Sequence, residues 1–378
     1  MRRRSSPATS ILYLFRDSLQ RRAALELEPG SAARYSLSGM DQLAQRGYAI
    51  RHNLERSAPP PWARVTGGAL KRGLERAGGY GGDFATVLSS LGRVNQADVV
   101  FSTVDTVGIP LMLLARGNAV RSPFVYAAIG LPERLAQLRS RRMERLYAGA
   151  LGEAAAIVTY SRYEADVLVS WLRERGADVP VEFVPFGVDT KAFHPVSTPP
   201  DVDVVSIGVD PQRDFELLFA VARTLPETSF LVVTTADRAR SFGNKPANVA
   251  VETDLPFDQM RRRLERARVV ALPIRDNSYS GATTVLLQAM ALAKPVVVTR
   301  TAAIATGYGL EDRHNVLLVP PGDERGFGRA LGELLDDEPG ARALGARARA
   351  TTEETLTWER YVARIEALLE AAVGAAAT

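Results

Sequence analysis

Residues 268–299 read RVVALPIRDNSYSGATTVLLQAMALAKPVVVT and combine two apolar runs with a polar loop and a helical segment. The runs RVVALP (268–273) and PVVVT (295–299) are apolar on successive residues, which is typical of parallel strands covered on both faces. Between them, the spacing predicts a helix from about Gly281 to Ala293. A strand, a loop, a helix and a second strand in this order predict a βαβ crossover.

Short apolar runs of this kind recur along the whole chain, separated by turn residues or by segments with helical spacing. Strands that alternate with helices predict an α/β fold, here two Rossmann-like, doubly wound domains. In the first half the runs are ILYLF (11–15), YAIRHNL (48–54), ADVVF (97–101), PFVYAA (123–128), AAAIVT (154–159) and VEFV (181–184). In the second half they are DVVSI (203–207), SFLVVT (229–234), VAV (249–251), RVVALP (268–273), PVVVT (295–299) and VLLV (316–319).

The chain has 378 residues, which is enough for two domains that each bury a core. The segment HPVSTPP, 194–200, is the predicted boundary, because its prolines prevent regular structure. We therefore expect an N-terminal domain over 1–195 and a C-terminal domain over 201–378. The last helix, at about 357–372, could cross back to the first domain. Ligands of α/β proteins bind at the carboxyl ends of the strands, so the two domains should face a catalytic cleft.

The composition excludes several kinds of site. The chain has no cysteine, so disulfide scaffolds, zinc-thiolate sites and cysteine nucleophiles are excluded. It has only three histidines, so a multi-histidine centre is not expected and we predict no metal site. The apolar run near the start, Ile11 to Phe15, is too short for a signal peptide or a membrane span, which favours a cytoplasmic protein.

The net charge of +4 is divided unevenly along the chain. Residues 1–196 carry +8 and residues 197–378 carry −4, so the two halves should meet different partners. Basic residues cluster at 62–77 and 133–147, and both segments can be written as helices with cationic faces. Such helices could rest on the anionic inner face of a membrane, or they could form a solvated face rich in arginine. Nucleic-acid binding is disfavoured, because no stacking aromatic residues are interleaved and the second half is acidic.

The loop and helix around residue 280 form a candidate phosphate site. Small residues at the helix start leave its first backbone N–H groups unblocked, and such groups bind anions. Gln288 lies eight residues past Ser280, roughly 12 Å along the helix axis, which matches the span from a diphosphate to its ribose. The alternative is a buried crossover helix with a Ser or Thr cap. The candidate residues are Tyr279, Ser280, Gly281, Ala282, Thr283 and Gln288.

Five segments resemble, in order, the landmarks of one enzyme family: AAAIVTYSRYEADVLVSWL, VEFVPFGVDTKAFHP, VVSIG…RDFELLFAVA, LLQAMALAKPVVVT and HNVLLVPPGD. The chain is similar to the retaining nucleotide-sugar glycosyltransferases of family 4 (group 1), which have the GT-B fold. The resemblance covers nearly the whole chain and is strongest from about 150 to 325. It implies a GT-B-like hexosyltransferase that moves a sugar from a nucleoside-diphosphate sugar to an acceptor hydroxyl and retains the anomeric configuration. No coenzyme is expected, since the nucleotide sugar is the donor substrate. The resemblance further implies that the N-terminal domain over 1–195 binds the acceptor and the C-terminal domain over 201–378 binds the nucleotide sugar.

The resemblance also implies roles for the residues after the first strand of the second domain. The family usually has a base there that binds the leaving diphosphate, and Arg213 is the only base in GVDPQRDFELL (208–218). A guanidinium can bind two phosphate oxygens and offset the charge that develops as the glycosidic bond breaks. Arg213 is therefore the candidate catalytic residue, and Gly208 a candidate donor-site residue. Alternatively, Arg213 is a solvated residue at a helix start that pairs with Asp214 or Glu216.

The chain departs from the family at two places. The family usually has a glutamate at each end of the phosphate-helix motif, and here those positions are Ser280 and Gln288. A glutamine carbonyl can still accept a hydrogen bond from a ribose hydroxyl. The family's histidine after the fourth strand of the first domain is absent from YAAIGLP (126–132). In that segment Tyr126 and Gly130 either line the cleft or only pack at the strand end.

The remaining expectations concern the nucleobase, the acceptor and rival functions. By resemblance, the backbone of Asp254 and Leu255 would face the nucleobase. Asp17, in the loop after the first strand, either reaches the acceptor or the diphosphate or lies in a solvated turn. The missing glutamates keep open a non-catalytic partner subunit that binds nucleotide sugars. A sugar-nucleotide epimerase or a phosphorylase on the same fold is a further alternative, because related architectures host several reactions.

Overall fold

The computed structural model describes residues 8–56, 58–279 and 281–376. Ser280, predicted at the start of the phosphate helix, lies outside the described residues. Within the described ranges, no helix is both long and apolar enough to cross a membrane.

The chain folds into two compact units. Unit 1 extends as far as Val184 and resumes at Val362, whereas unit 2 comprises Pro185–Tyr361. The residues that follow Pro185 join unit 2 because Val188 pairs with Thr357 through a parallel β-bridge. The last helix therefore begins in unit 2 and continues in unit 1.

The described part of unit 1 contains a six-stranded sheet flanked by helices. Its strands are β1 (Ser10–Leu14), β2 (Ala49–His52), β3 (Val99–Ser102), β4 (Phe124–Ala128), β5 (Ala156–Thr159) and β6 (Val181–Phe183). The helices are α1 (Leu19–Leu25), α2 (Met40–Gln45), α3 (Pro61–Arg76), α4 (Phe84–Val94), α5 (Asp105–Arg116), α6 (Leu131–Ala136), α7 (Arg141–Leu151) and α8 (Arg162–Arg173). The strand order is β2-β1-β3-β4-β5-β6, and every pair is parallel.

The described part of unit 2 also contains a six-stranded sheet. Its strands are β7 (Val202–Ile207), β8 (Phe230–Thr234), β9 (Val249–Thr253), β10 (Ala267–Leu272), β11 (Val296–Thr299) and β12 (Leu317–Val319). The helices are α9 (Phe215–Thr224), α10 (Ala236–Arg240), α11 (Phe257–Glu265), α12 (Thr283–Ala291), α13 (Ala302–Ala305), α14 (Glu324–Asp336), α15 (Glu338–Thr355) and α16 (Trp358–Ala376), the last of which is shared with unit 1. The order is β12-β11-β10-β7-β8-β9, again with every pair parallel.

The predicted fold class is confirmed in both units. Each of the predicted apolar runs forms a strand. Helices bury successive residues of the inner strands, whereas β2, β6 and β9 at the sheet edges are partly exposed. β4 and β8 are buried over their whole length. In each sheet the first strand lies in the interior, and the chain adds strands on one side of it before it adds the rest on the other side. A doubly wound sheet requires this reversal.

The helix after the polar loop is shorter than predicted. It spans Thr283–Ala291 rather than 281–293, because the backbone is left-handed at both ends. Ala282 has φ 72° and Ala293 has φ 54°, and neither conformation continues a right-handed helix.

The structure confirms one of the two predicted basic helices of unit 1 and divides the other. The prediction of a helix over 62–77 is confirmed by α3. The segment 133–147 is not one helix, because the backbone breaks between α6 and α7 and Ser140 caps α7 by accepting a hydrogen bond from Met143 N–H at 3.3 Å.

Candidate functional site

Gly208 follows β7 and leaves space for the side chain of Arg213. The N–H group of Gly208 donates to the carbonyl of Val233 in β8 at 3.0 Å, which fixes it at the carboxyl end of the sheet. A Cβ atom at position 208 would overlap with Nε of Arg213 and would lie 2.9 Å from its Cγ. The close approach of Arg213 therefore requires glycine at position 208.

The backbone of Arg213 is held on both sides. Its N–H donates to the carbonyl of Asp210 at 3.1 Å, its carbonyl accepts from Nη2 of Arg238 at 2.6 Å, and it forms a β-bridge with Ile274. The residue is only 1% exposed. Nε and Nη1 nevertheless have no hydrogen-bond partner among the described residues. Buried donors without partners are costly, so this guanidinium is suited to receive an anion.

The charge of Arg213 persists despite its burial. Burial lowers the pKa of Arg213 to about 10, and the Asp210 carboxylate opposes that change. The group is therefore a cation at neutral pH. The alternative of a solvated residue paired with its neighbours does not hold, because Arg213 is buried, Asp214 caps α9 and Glu216 pairs with Arg275.

Asp210 joins the loop after β7 to the loop before α12. Its Oδ1 accepts hydrogen bonds from the Tyr279 hydroxyl and from the Gln212 N–H, both at 2.7 Å. A Cβ atom at Gly281 would lie 3.4 Å from Oδ2 of Asp210 and 3.2 Å from Cε2 of Tyr279, so both side chains pack against the Gly281 backbone. The structure thus brings Gly208, Tyr279 and Gly281 around Arg213.

The residue that precedes α12 contributes no capping side chain of its own. Ala282 occupies the cap position, and its methyl group cannot accept a hydrogen bond. Thr283 is the first helical residue and is buried. The predicted alternative of a helix with a Ser or Thr cap stays a prediction, because Ser280 lies outside the described residues.

Gln288 lies within α12 and is buried, with 3% of its surface exposed. Its Oε1 accepts no hydrogen bond from any residue that the structure describes. An unpaired buried acceptor costs about 1–3 kcal/mol. The amide oxygen is thus suited to accept a hydrogen bond from a ligand hydroxyl.

Asp254 and Leu255 lie between β9 and α11. Asp254 has φ 53°, its N–H donates to the carbonyl of Thr234 at 2.9 Å, and its Oδ2 accepts from Ala236 N–H at 3.0 Å. Leu255 is half-buried. In the described part of the chain, no hydrogen bond links either residue to those around Arg213.

Arg238 is a second cation at this site that the sequence did not single out. Its guanidinium binds the Arg213 carbonyl and lies over the ring of Phe215, 5.1 Å from the centroid. Burial and the nearby Arg275 lower the pKa of Arg238. The segment ADRAR offers no signal that would separate Arg238 from the exposed Arg240.

In unit 1, Tyr126 packs at the strand end, which is the second of its two predicted alternatives. Its side chain is fully buried inside the unit, and its hydroxyl donates to Oδ1 of Asp105 at 2.6 Å. Gly130 precedes α6 and has φ 74°, and its N–H donates to Oε1 of Glu164 at 2.7 Å. Asp105 and Glu164 are both fully buried, and sequence reasoning assigned neither a role.

Asp17 is already paired in the structure. Its two oxygens accept from Nε and Nη2 of Arg22, both at 2.7 Å. Asp17 lines a small polar pocket together with Arg22, Asn53 and Arg56. The loop after β1 is therefore a polar surface of unit 1.

Comparisons with known proteins bear on both units. Residues 207–337, which include Arg213 and α12, match the model of the family described as glycosyl transferases group 1. No curated protein matches the chain.

Several solved structures share the fold. Sucrose-phosphate synthase from Thermosynechococcus elongatus has a TM-score of 0.73 at 17% identity, covering 97% of this chain and 100% of that one. The α,α-trehalose-phosphate synthase (UDP-forming) from Burkholderia vietnamiensis has a TM-score of 0.66 at 12% identity, covering 97% and 99%. HepE from Anabaena in complex with UDP-glucose has a TM-score of 0.65 at 14% identity, covering 96% and 99%.

These findings agree with the architecture. Two parallel six-stranded sheets with flanking helices match the structures of GT-B glycosyltransferases. Together with the matched segment, this fold supports a transferase. Residues 207–337 of unit 2 therefore match the family of glycosyl transferases group 1, in a chain with the GT-B fold.

Proposed function

We propose that the protein is a hexosyltransferase that moves a sugar from a nucleoside diphosphate to an acceptor hydroxyl. We also propose that it retains the anomeric configuration, as the glycosyltransferases of family 4 do. The observation that carries the proposal is Arg213, a buried cation whose Nε and Nη1 lack partners in the described ranges. It lies in the matched segment, beside the loop that leads into α12. A diphosphate is an anion that would satisfy both donors.

The proposed catalysis is electrostatic. As the bond between the sugar and the diphosphate breaks, negative charge grows on the leaving oxygen. Arg213 and the positive end of the α12 dipole would stabilise that charge. Both are fixed before the reaction, since the backbone of Arg213 is hydrogen-bonded to Asp210 and Arg238. We assign no side chain as a nucleophile, and the scheme uses neither a metal ion nor a coenzyme.

The donor would bind mainly to unit 2. Gln288 would accept a hydrogen bond from a ribose hydroxyl, and the backbone of Asp254 and Leu255 would face the nucleobase. The donor to test first is UDP-glucose, because the HepE structure contains it and the trehalose-phosphate synthase neighbour is UDP-forming. The acceptor hydroxyl would bind to unit 1, whose half of the sequence is basic.

A peripheral contact of unit 1 with an anionic membrane is part of the proposal. Around the start of α7, four arginines are exposed, and the described residues offer none of them an ion pair: Arg139, Arg141, Arg142 and Arg145. Cations near an anionic surface attract it without insertion. The cytoplasmic location stays a prediction.

The test is to incubate the protein with a panel of nucleotide sugars and follow the anomeric protons by NMR. Slow hydrolysis of one donor releases the nucleoside diphosphate and a free sugar. If the sugar that forms first has the same anomeric configuration as the donor, the result supports a retaining transferase. Release of the opposite anomer contradicts retention, and isomerisation of the donor identifies an epimerase.

A second function is favoured by one observation. The position where the family usually has its second glutamate is occupied by Gln288, whose Oε1 is unpaired in the part of the chain that the structure describes. A non-catalytic subunit that binds nucleotide sugars would keep this hydrogen-bond acceptor without needing turnover. Binding of UDP-glucose without hydrolysis, in the presence of a series of sugar acceptors, would support this alternative.

A further inference from the structure

Three neighbouring strands of unit 1 end beside a cluster of buried acids. β3, β4 and β5 are adjacent and parallel, so the segments that follow them meet at one edge of the sheet. Asp105 begins α5 after β3, and Glu164 lies in the first turn of α8 after β5. Between them, residues 129–131 form the turn from β4 into α6.

Both oxygens of the Asp105 carboxylate accept hydrogen bonds from neighbouring residues. Oδ1 accepts from the Tyr126 hydroxyl at 2.6 Å and from the Ile129 N–H at 3.0 Å. Oδ2 accepts from Nε of Arg134 at 2.8 Å. Asp105 therefore anchors the turn and has a cationic partner of its own.

Glu164 reaches the same turn from the other side. It has no exposed surface, and its Oε1 accepts from Gly130 N–H at 2.7 Å. Its Oε2 has no hydrogen-bond partner among the described residues. The N–H of Glu164 donates to Ser161 Oγ at 3.3 Å, as in a helix cap, but the carboxyl turns away from its own helix to bind Gly130.

The two acids thus hold consecutive N–H groups of one turn. Asp105 binds that of Ile129 and Glu164 binds that of Gly130, whose φ of 74° suits glycine. Ligands of doubly wound sheets bind at this carboxyl edge, at segments that follow the strands. A turn tied down by two different helices can present its outer side in one fixed geometry.

We propose that Glu164 is a positioning residue for the sugar-transfer reaction, and that its carboxyl fixes the turn 129–131 against which a substrate packs. This inference rests on the proposed function, because the turn matters only if a substrate reaches this edge of unit 1. A purely structural acid at this place would be expected to use both of its oxygens, since an unpaired buried oxygen costs stability. The open Oε2 is therefore better explained by a role in the active protein.

The protonation of Glu164 is set by its neighbours. Burial raises its pKa to about 8, the bond from Gly130 opposes this rise, and the carboxylates of Asp105 and Glu133 add to it. The other groups of the cluster are Tyr126, which binds Asp105, and Arg134, which pairs with Asp105. Glu164 is thus mostly a neutral acid at pH 7. Its ionisation would strengthen the bond from Gly130 but place a second negative charge beside Asp105, so the turn that both acids hold should change its position.

Three variants separate positioning from folding. Glu164→Gln is a neutral isostere that keeps an oxygen for Gly130 N–H, Glu164→Ala removes the contact, and Asp166→Asn is a control at an exposed acid of the same helix. The probe is UDP release from UDP-glucose between pH 6 and 9.5. For wild type we expect kcat to fall as Glu164 ionises, with a midpoint near pH 8, while Asp166→Asn follows wild type. Glu164→Gln should keep the neutral-pH kcat and lose this fall.

For Glu164→Ala we expect kcat to fall by about tenfold to a hundredfold with a nearly unchanged KM, the size of effect that a small misplacement produces. A second readout is the Gly130 amide resonance in protein labelled with ¹⁵N-glycine. It should titrate near pH 8 in wild type and not in Glu164→Gln.

The inference is overturned if the Gly130 amide does not titrate, or if Glu164→Gln loses as much kcat as Glu164→Ala. It is also overturned if Glu164→Ala, folded at neutral pH, turns over like wild type. If wild type releases no UDP from UDP-glucose or from any other nucleotide sugar, the proposed function itself fails, and the inference fails with it. That result is distinguishable because it appears in the unchanged protein.

Discussion

The side chain of Arg213 passes so close to Gly208 that any Cβ atom at position 208 would overlap with its Nε. The glycine that follows β7 and the buried cation of the same loop are therefore one structural unit. The guanidinium of Arg213 reaches its position only because residue 208 has no side chain.

Gly208→Ala should displace the guanidinium of Arg213 and destabilise unit 2. We expect the free energy of unfolding to fall by on the order of 1–3 kcal/mol, as for other overpacked sites. The affinity for UDP should fall as well, because the displaced cation no longer faces the diphosphate. Urea denaturation and calorimetry with UDP measure the two effects. Gly243→Ala is the control, since nothing lies within 4 Å of a Cβ atom there. Unchanged stability and affinity in Gly208→Ala would contradict this account.

Gln288→Ala should weaken the binding of UDP by roughly 1–2 kcal/mol, because a neutral hydrogen bond to a ribose hydroxyl is lost. Gln288→Glu should preserve or improve binding, since a carboxylate accepts more strongly, provided that the diphosphate does not repel it. Calorimetry with UDP and with 2′-deoxy-UDP reports the contact directly. Wild type should prefer UDP, and Gln288→Ala should not. Equal discrimination by both proteins would show that Gln288 does not touch the ribose.

Glu164 should make the folded protein less stable as the pH rises. Below its unfolded pKa of 4.5 both states hold the proton, whereas between 4.5 and about 8 only the folded state does. In that window its contribution to the free energy of unfolding should fall by about 1.4 kcal/mol per pH unit, and above about pH 8 it should change no further. Denaturation of wild type and Glu164→Gln from pH 5 to 9 tests this. A constant difference between the two proteins would refute the raised pKa.

Charge removal around the start of α7 should weaken binding of the protein to vesicles that contain anionic lipid. The positions to change are Arg139, Arg141, Arg142 and Arg145. Each should contribute about 1 kcal/mol near the surface, and added salt should have the same effect as the substitutions. Co-sedimentation measures the binding, with Arg325→Ala and Arg329→Ala on α14 as a control. If wild type binds no vesicles even at low ionic strength, a soluble acceptor is the better interpretation.

The strands could be predicted from the sequence because parallel strands covered on both faces are apolar on successive residues, as in β8 and β10. Element ends were less predictable. An alanine side chain does not indicate a left-handed backbone, so the sequence predicts a start of α12 that is too early. The chain also enters unit 2 at Pro185, ahead of the proline segment 194–200, because tertiary contacts such as the bridge from Val188 to Thr357 determine where units divide.

The candidate site was predictable in part. Arg213 stood out as the only base of its segment, but the sequence could not show that it is buried with unpaired donors. The roles of Asp105 and Glu164 depend on hydrogen bonds to backbone N–H groups far away in sequence. In the sequence alone, both acids look like residues at helix starts.

The most direct test of the proposed site is the turnover of Arg213→Ala with the donor that wild type hydrolyses fastest. A charge directed at the leaving group stabilises the transition state more than the bound donor. We therefore expect kcat to fall because the activation free energy rises by on the order of 2–4 kcal/mol, with a much smaller change in donor affinity. The control is Arg240→Ala, which removes an exposed arginine of α10 and should turn over like wild type. Wild-type turnover in Arg213→Ala would contradict the account, because Arg213 would then not bind the leaving diphosphate.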